Sequence, residues 1–246
     1  MNILVCISSV PDTTAKIQFT PDGKSFDANG VQFILNPYDE WYALVRALEL
    51  KEQLGGNVVV INVGGASNDI NIRKALAIGA DSAVRIDAEP VSSFFVASQI
   101  AAYAKANDFD LIFTGKETID HNAAEVGPMI AELLDLPFFS HAIELKENGG
   151  EFEVTCDVDG GEETYGCSGK FVLSAAKGLA EQRIPNMRGI MMAKKKPLEV
   201  NEPTDVTSRT EVLKYELPPA KGDIKLIDPD NMEELVRLLH DEAKVI

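Results

Sequence analysis

Up to Leu136 the chain alternates short runs of β-branched residues with amphipathic segments, and that alternation leaves few folds open. Ile3-Leu4-Val5-Cys6-Ile7, Asn57 to Val63, Ala83 to Ile86 and Asp110 to Phe113 read as strands. Between them lie three helical patterns. Trp41, Leu44, Val45 and Leu48 follow an i, i+3, i+4, i+7 spacing, Ile72, Ala75 and Leu76 precede Gly79, and Val96, Ile100 and Tyr103 share a face between Ser92 and Ala106. A fourth carries Val126, Met129, Ile130, Leu133 and Leu134. Such spacing gives one apolar helix face. The βαβαβαβα order predicts an α/β fold with a doubly wound, mostly parallel sheet and right-handed crossovers. The Val/Ile-rich strand from Asn57 suits a sheet covered on both faces.

Local signals refine this plan. Asn36 is expected to cap the first helix, with Pro37 at its first position and Asp39 and Glu40 charging its first turn. The other reading of Asn36 is an amide that contacts a ligand at the sheet's edge. Gly55-Gly56 ends that helix. Lys16 to Thr20 reads as a short strand before the turn Pro21-Asp22-Gly23-Lys24. After Pro137, Gly149-Gly150, Gly160-Gly161, Gly166 and Gly169 punctuate the runs Phe152 to Val158 and Phe171 to Ser174, which predict a hairpin and a further strand in the same sheet. Residues 197 to 230 contain Pro197, Pro203, Pro218, Pro219 and Pro229 and read as an extended C-terminal arm. It ends in a helix bearing Met232, Leu235, Val236 and Leu239, whose apolar face needs a surface to bury it. The expected division is a nucleotide-binding domain over 1–200 and an arm over 201–246.

A formal net charge of −16 argues against a free duplex-binding role, because phosphate contacts need a basic face. The opening run Ile3 to Ile7 lacks a basic lead and a cleavage site and is too short to span a bilayer. The expected location is the bacterial cytoplasm, or an organelle matrix after processing. Cys6, Cys156 and Cys167 form no C-x-x-C pair, so reduced thiols and no metal site are expected.

Two stretches stand out as functional. From Ile112 to Met129 a strand runs through Gly115 and a polar loop into a helix. The carboxyl end of a parallel strand is where such folds bind ligands, and a helix N-terminus favours anions there. A plain βα connector reads equally well from spacing alone. Gly115-Lys116 is no P-loop, since Asp110 stands where the first glycine belongs and Glu117 follows the lysine. No G-x-G-x-x-G follows the first strand. Asp120-His121 could be an acid/base pair, but solvated loop residues are the preferred reading, and no catalytic residue is assigned. The second stretch, Arg183-Ile184-Pro185-Asn186-Met187-Arg188-Gly189-Ile190-Met191-Met192 and on to Lys196, gathers five of the 23 basic residues and three of the six methionines. That combination suggests docking to a partner. The triple lysine Lys194 to Lys196 alone reads as a solvated charge run.

Five motifs together resemble the beta subunit of the electron transfer flavoprotein family, over Met1 to about Val200 with a similar arm beyond. They are Ile3-Leu4-Val5-Cys6 with Val10-Pro11-Asp12 and Lys16-Ile17, then Asn36-Pro37-Tyr38-Asp39-Glu40, and Arg73-Lys74-Ala75-Leu76-Ala77-Ile78-Gly79-Ala80-Asp81. Gly115-Lys116-Glu117-Thr118-Ile119-Asp120 with Gly127 is the fourth, and Ile190-Met191 through Lys194-Lys195-Lys196-Pro197 the fifth. The resemblance implies an adenine-nucleotide-hydrolase-like sheet in an electron carrier rather than an enzyme. It implies a heterodimer with an alpha subunit that holds most of the redox FAD and is clasped by the arm. It also implies a structural AMP at the sheet's carboxyl end. Carried over by motif, nucleotide contacts fall on Cys6, Asn36, Pro37, Tyr38, Asp39, Val63, Gly115, Lys116, Glu117, Thr118, Ile119, Asp120, His121, Asn122, Ala123, Ala124, Glu125 and Val126. Contacts to acyl-CoA dehydrogenases or related flavoenzymes fall on Arg183 to Met192, with Met187 as the anchor. Tyr38 matches an aromatic near the partner's flavin. His121-Asn122-Ala123-Ala124-Glu125 departs from the family's usual loop, so a second FAD, as in electron-bifurcating members, stands beside AMP. A free-standing ATP-binding module of the stress-protein kind is a further alternative, against which the long arm speaks.

Overall fold

A computed structural model describes residues 1–222 and 224–246. The chain divides into a larger unit, Met1–Ile17 with Asp27–Leu213, and a smaller one, Gln18–Phe26 with Lys214–Ile246. The larger unit holds the strands β1 (Asn2–Cys6), β2 (Ser9–Pro11), β3 (Phe33–Leu35), β4 (Asn57–Val63), β5 (Ser82–Ile86) and β6 (Leu111–Gly115), then β7 (Phe138–Asn148), β8 (Glu151–Val158), β9 (Gly161–Ser168), β10 (Phe171–Ala175) and β11 (Leu198–Asn201). Among the described residues, nine of these form one sheet in the order β11-β5-β4-β1-β6-β10-β7-β8-β9, while β2 and β3 pair as a separate antiparallel ribbon. From β11 through β7 every neighbouring pair is parallel, and β7, β8 and β9 continue as an antiparallel meander.

Strand alternation sorts the core into two layers. Ile3, Val5, Val58, Val60, Leu111, Phe113, Phe171 and Leu173 face one side, where Leu44 and Leu48 of α1 (Asp39–Leu54) and Ile72 and Leu76 of α2 (Asp69–Ile78) cover them. Leu4, Cys6, Ile61, Val63, Ile112 and Val172 face the other, under Ala97 and Ile100 of α3 (Ser93–Ala106) and Ile130 of α4 (Val126–Leu134). This is the doubly wound arrangement expected from the alternation. Each large side chain so buried contributes about 1.5–3 kcal/mol of transfer free energy. Helix ends follow the local chemistry: Ser92 caps α3 by accepting from the N–H of Phe95, and α1 stops at Gly55 with φ 74°.

Several expectations need correction. Asn36 does not cap α1. The helix begins at Asp39 with Tyr38 in the capping position, at φ 66°, and no side chain caps it. Glu40 is buried rather than a solvated first-turn charge. After Pro137 the chain makes a three-stranded meander plus β10, not one hairpin plus a strand. β10 returns to lie between β6 and β7, so the meander joins the parallel sheet through it. β11 takes the first residues of the proline-rich stretch and pairs with β5 at the sheet's edge.

Lys16 to Thr20, whose first two residues belong to the larger unit, forms no strand. Its turn is closed by a lone Phe19–Phe26 bridge, and Phe19 stacks on Tyr215 at 5.0 Å between ring centres. The final helix is short, α6 (Met232–Arg237), continued by a wider turn over Leu238–Ala243. Met232 and Val236 lie exposed on it. Among the described residues no helix is long and apolar enough to cross a membrane.

Candidate functional site

From β1 the chain winds outward through β4 and β5, then crosses back to β6 and β10 on the other side. The order reverses between β1 and β6, and in open parallel sheets such a reversal is where a crevice forms beyond the strand ends. Cys6 ends β1, Val63 ends β4 beside it, and Gly115 ends β6.

Asn36 ties this crevice together. It is fully buried. Its side-chain N–H donates to the carbonyl of Glu117 at 3.1 Å, and its side-chain oxygen accepts from the N–H of Ile119 at 3.1 Å. Its own backbone N–H donates to the Ser8 carbonyl at 3.0 Å. One amide therefore holds the exit of β1 against the loop after β6. That is a clamp on the site, in place of the capping role expected of it.

Glu40 works from the other side. Its side chain, on a residue only 5% exposed, accepts from the N–H of Ser8 at 2.6 Å. Burial, opposed by the Ser8 hydrogen bonds and assisted by Asp120 and Asp39, pushes the Glu40 carboxyl up to about 8. Burial also raises the Asp39 carboxyl, and burial together with Glu40 raises the Cys6 thiol. Gly115 sits so close to the start of α1 that a Cβ there would lie 2.8 Å from Cγ of Glu40 and 2.9 Å from its backbone nitrogen. Only glycine lets β6 approach α1 this closely. Ser8 and Glu40 belong to this constellation, although the sequence offers neither as a site residue and marks Glu40 only as a first-turn charge. The burial of Glu40, in the first turn of α1, is set by packing against β6, which no local pattern reveals.

Beyond Gly115 the loop turns away from the sheet. The N–H of Lys116 donates to the Ala175 carbonyl at 2.9 Å, and its ammonium lies 3.1 Å from the Glu117 carboxylate. The N–H of Asn122 donates to the Thr118 carbonyl at 2.9 Å. Asn122 and Ala124 both adopt left-handed backbone, φ 50° and 54°, which is uncommon for alanine. Residues His121 to Glu125 are exposed. His121 lies 4.0 Å from Asp120 as a loose surface pair. Glu125 leads into α4 and no side chain caps that helix. Its first N–H groups, those of Val126 and Gly127 since Pro128 has none, are thus available to an anion. The geometry brings Asn36, Asp39, Gly115, Glu117 and Ile119 together. Tyr38 projects outward, 59% exposed, and His121 to Glu125 stand on the outer side of the loop.

The basic, methionine-rich stretch forms a second constellation. α5 (Met187–Ala193) is capped by Asn186, whose side-chain oxygen accepts from the N–H of Gly189 at 2.8 Å. Gly189 and Ala193 face inward one turn apart. A Cβ on Gly189 would collide with the Ala77 carbonyl of α2. Met187 and Met191, also one turn apart, point the opposite way and are 76% and 70% exposed. Ile184 is 80% exposed just before the helix. Cations hold the helix from beneath. Arg73 donates to the carbonyls of Ala193 and Lys196 at 2.8 and 2.6 Å. The Lys196 ammonium donates to the carbonyls of Leu76, Gly79 and Ala80 at the end of α2, at 2.9, 3.3 and 2.5 Å. Lys196 is therefore a structural cap, while Lys194 and Lys195 are exposed. Arg183 pairs with Glu52 of α1 through both guanidinium nitrogens, and its carbonyl accepts from the indole of Trp41 at 3.1 Å.

The family model for the electron transfer flavoprotein domain matches residues 24–206. The chain is 38% identical to the electron transfer flavoprotein subunit beta of Bacillus subtilis (strain 168), covering 100% of both chains. It is 36% identical to that of Bradyrhizobium diazoefficiens, again over 100% of both. It is 32% identical to the human protein of the same name, covering 100% of this chain and 99% of that one.

Proposed function

Because the chain belongs to the electron transfer flavoprotein family, matching its beta subunits over their whole length, we propose that it is the electron-carrier beta subunit of a two-subunit flavoprotein. An alpha subunit would hold most of the FAD, which when bound supplies reversible uptake and release of electrons. This chain's residues then bind, orient and dock; none is asked to make or break a bond.

The crevice between β1 and β6 would hold AMP. Asn36 fixes the loop after Gly115, the strand ends at Cys6 and Val63 form the floor, and the start of α4 meets the phosphate with backbone N–H groups. The donor set fits a monophosphate held by main chain rather than a polyphosphate held by cations. Lys116 is the one lysine among Asp39, Glu117, Asp120 and Glu125. The competing ligand is a second FAD, for which the exposed outer side of the loop at Ala123 and Ala124 leaves room.

Met187 and its neighbours on α5 would enter an apolar pocket on acyl-CoA dehydrogenases or related flavoenzymes. A single apolar anchor on a rigid helix suits a contact that forms and releases. Tyr38, exposed at the rim, would lie on the side of a partner's flavin. Residues 201–246 would clasp the alpha subunit, and the assembly would work in the bacterial cytoplasm.

The Asn36 bridge across the strand-order reversal carries the reading, because it builds a ligand crevice from residues far apart in the chain. The test is co-expression with the alpha subunit, followed by extraction of bound nucleotides. The expected product is a yellow heterodimer with one FAD and one AMP. Two FAD per heterodimer would assign the crevice to a second flavin. A colourless homodimer that ignores the alpha subunit, or ATP binding by the chain alone, would sink the carrier reading.

A further inference from the structure

Glu40 is a buried carboxyl with no cation acting on it among the described residues, placed where the proposed nucleotide site is hinged. Its oxygen holds the Ser8 N–H at the exit of β1, and its methylene packs against Gly115 at the end of β6. The ionisable groups that act on it are acidic or able to become anionic: Cys6 from β1, Asp39 from its own helix, and Asp120 from the loop. Lys116, Glu117 and His141 act at one remove, through Asp39. We propose that Glu40 is a positioning residue that couples nucleotide binding to the uptake of one proton. The inference rests on reading the β1/β6 crevice as a nucleotide site.

The physical argument is short. A phosphate at the start of α4 brings another negative charge to a crevice already lined by Asp39 and Asp120. A buried carboxylate nearby opposes that charge, and its neutral form does not. The proton comes from solvent and stays on the Glu40 carboxyl, whose second oxygen remains free to hold Ser8 in place. Binding therefore raises the proton affinity of Glu40, and by linkage a proton on Glu40 raises the affinity for the nucleotide. Above the range in which Glu40 holds its proton unaided, that proton must be taken up on binding, and affinity falls as pH rises.

The experiment is titration calorimetry of AMP onto the nucleotide-stripped full chain, co-purified with its alpha subunit, in two buffers of different ionisation enthalpy. A monophosphate's second ionisation lies near pH 6, so AMP itself does not titrate in the range used. At about pH 9 the wild type is expected to take up roughly half to one proton per AMP, and its affinity to fall about fivefold to tenfold between about pH 7.5 and 9.5. Glu40→Gln keeps the acceptor for Ser8 and is expected to take up none, with affinity changing less than about twofold. No proton uptake by the wild type, or equal uptake by both, overturns the role of Glu40 and leaves nucleotide binding standing. Absence of AMP binding at every pH overturns the nucleotide reading and this inference with it. The wild-type measurement decides the matter alone should Glu40→Gln fail to fold.

Discussion

The loop after β6 and the segment that leads into α5 are both tied to α1, yet the two surfaces are held in opposite ways. The loop is fixed from inside by buried polar groups. Asn36 clamps its backbone, and Glu40 sits against its first glycine. What it leaves toward solvent is main chain, two alanines and the polar side chains of Asp120, His121, Asn122 and Glu125. α5 is fixed from beneath by a glycine contact and two cations on carbonyl oxygens, and what it leaves toward solvent is methionine and isoleucine. The first arrangement suits an anionic ligand met by N–H groups, the second an apolar pocket on a protein. α1 serves both. Its N-terminus builds the crevice, and Trp41 and Glu52 on its length hold the strand of chain that leads into α5.

Substitutions can break this contrast or sharpen it. The largest effect is expected at Glu40. Folded Glu40 keeps its proton up to about pH 8, while the unfolded chain releases it near 4.5. Its contribution to stability is complete below the lower value and is lost as pH rises through the upper one. Glu40→Gln should therefore raise stability relative to wild type by on the order of 5 kcal/mol at about pH 9 and leave it nearly unchanged at about pH 4. Thermal melts across that range check it, and parallel pH profiles would show that the carboxyl is not held neutral.

Asn36→Ala comes next. It removes two buried hydrogen bonds and leaves the Glu117 carbonyl and Ile119 N–H unpaired, so a loss of about 2–3 kcal/mol is expected by denaturant titration. AMP binding should be lost with it, while electron transfer from a partner flavoenzyme to reconstituted complex persists. Lys196→Met should cost about 1–2 kcal/mol by uncapping α2. It should weaken docking and spare nucleotide affinity, the reverse of Asn36→Ala. Met187→Ala should change stability by less than about 0.5 kcal/mol, because the side chain is exposed. It should still slow electron transfer from the dehydrogenase about tenfold, as loss of a single hot-spot contact does. A large stability loss at Met187 would mean that the methionine face is packed within the chain's own assembly and not offered to a partner.

Much of this could be read from the residues in order. The four strand–helix alternations, the stop at Gly55, the cap at Ser92 and the strand-to-helix run through Gly115 depend on local spacing, and all lie where they were expected. The misses share a cause, which is dependence on partners distant in sequence. Pro37 and Asn36 carry every local mark of a helix start. Asn36 instead bonds residues more than eighty positions away, and Tyr38 takes left-handed backbone to let α1 begin later. β9 reads as polar and glycine-broken because it is an exposed edge, where charged residues such as Glu162 and Glu163 discourage pairing with other chains. Lys196 looks like one of three solvated lysines until the end of α2 is placed beneath it. The nucleotide contacts that the family resemblance implies stop at Asp39, one residue short of the buried carboxyl of Glu40.

The strand order also governs how the molecule is made. β6 gains its outer neighbour only when Phe171–Ala175 arrive, and β5 gains its own only with Leu198–Asn201. A chain emerging from the ribosome thus carries a parallel sheet with both flanks unsealed until nearly its last fifth has been synthesised. Open strand edges are templates for pairing with other chains. The residues that close them come late, one set from a strand legible in the sequence and the other from the start of the proline-rich stretch, so the interval between Gly115 and Asn201 is when this protein is most exposed to misassembly.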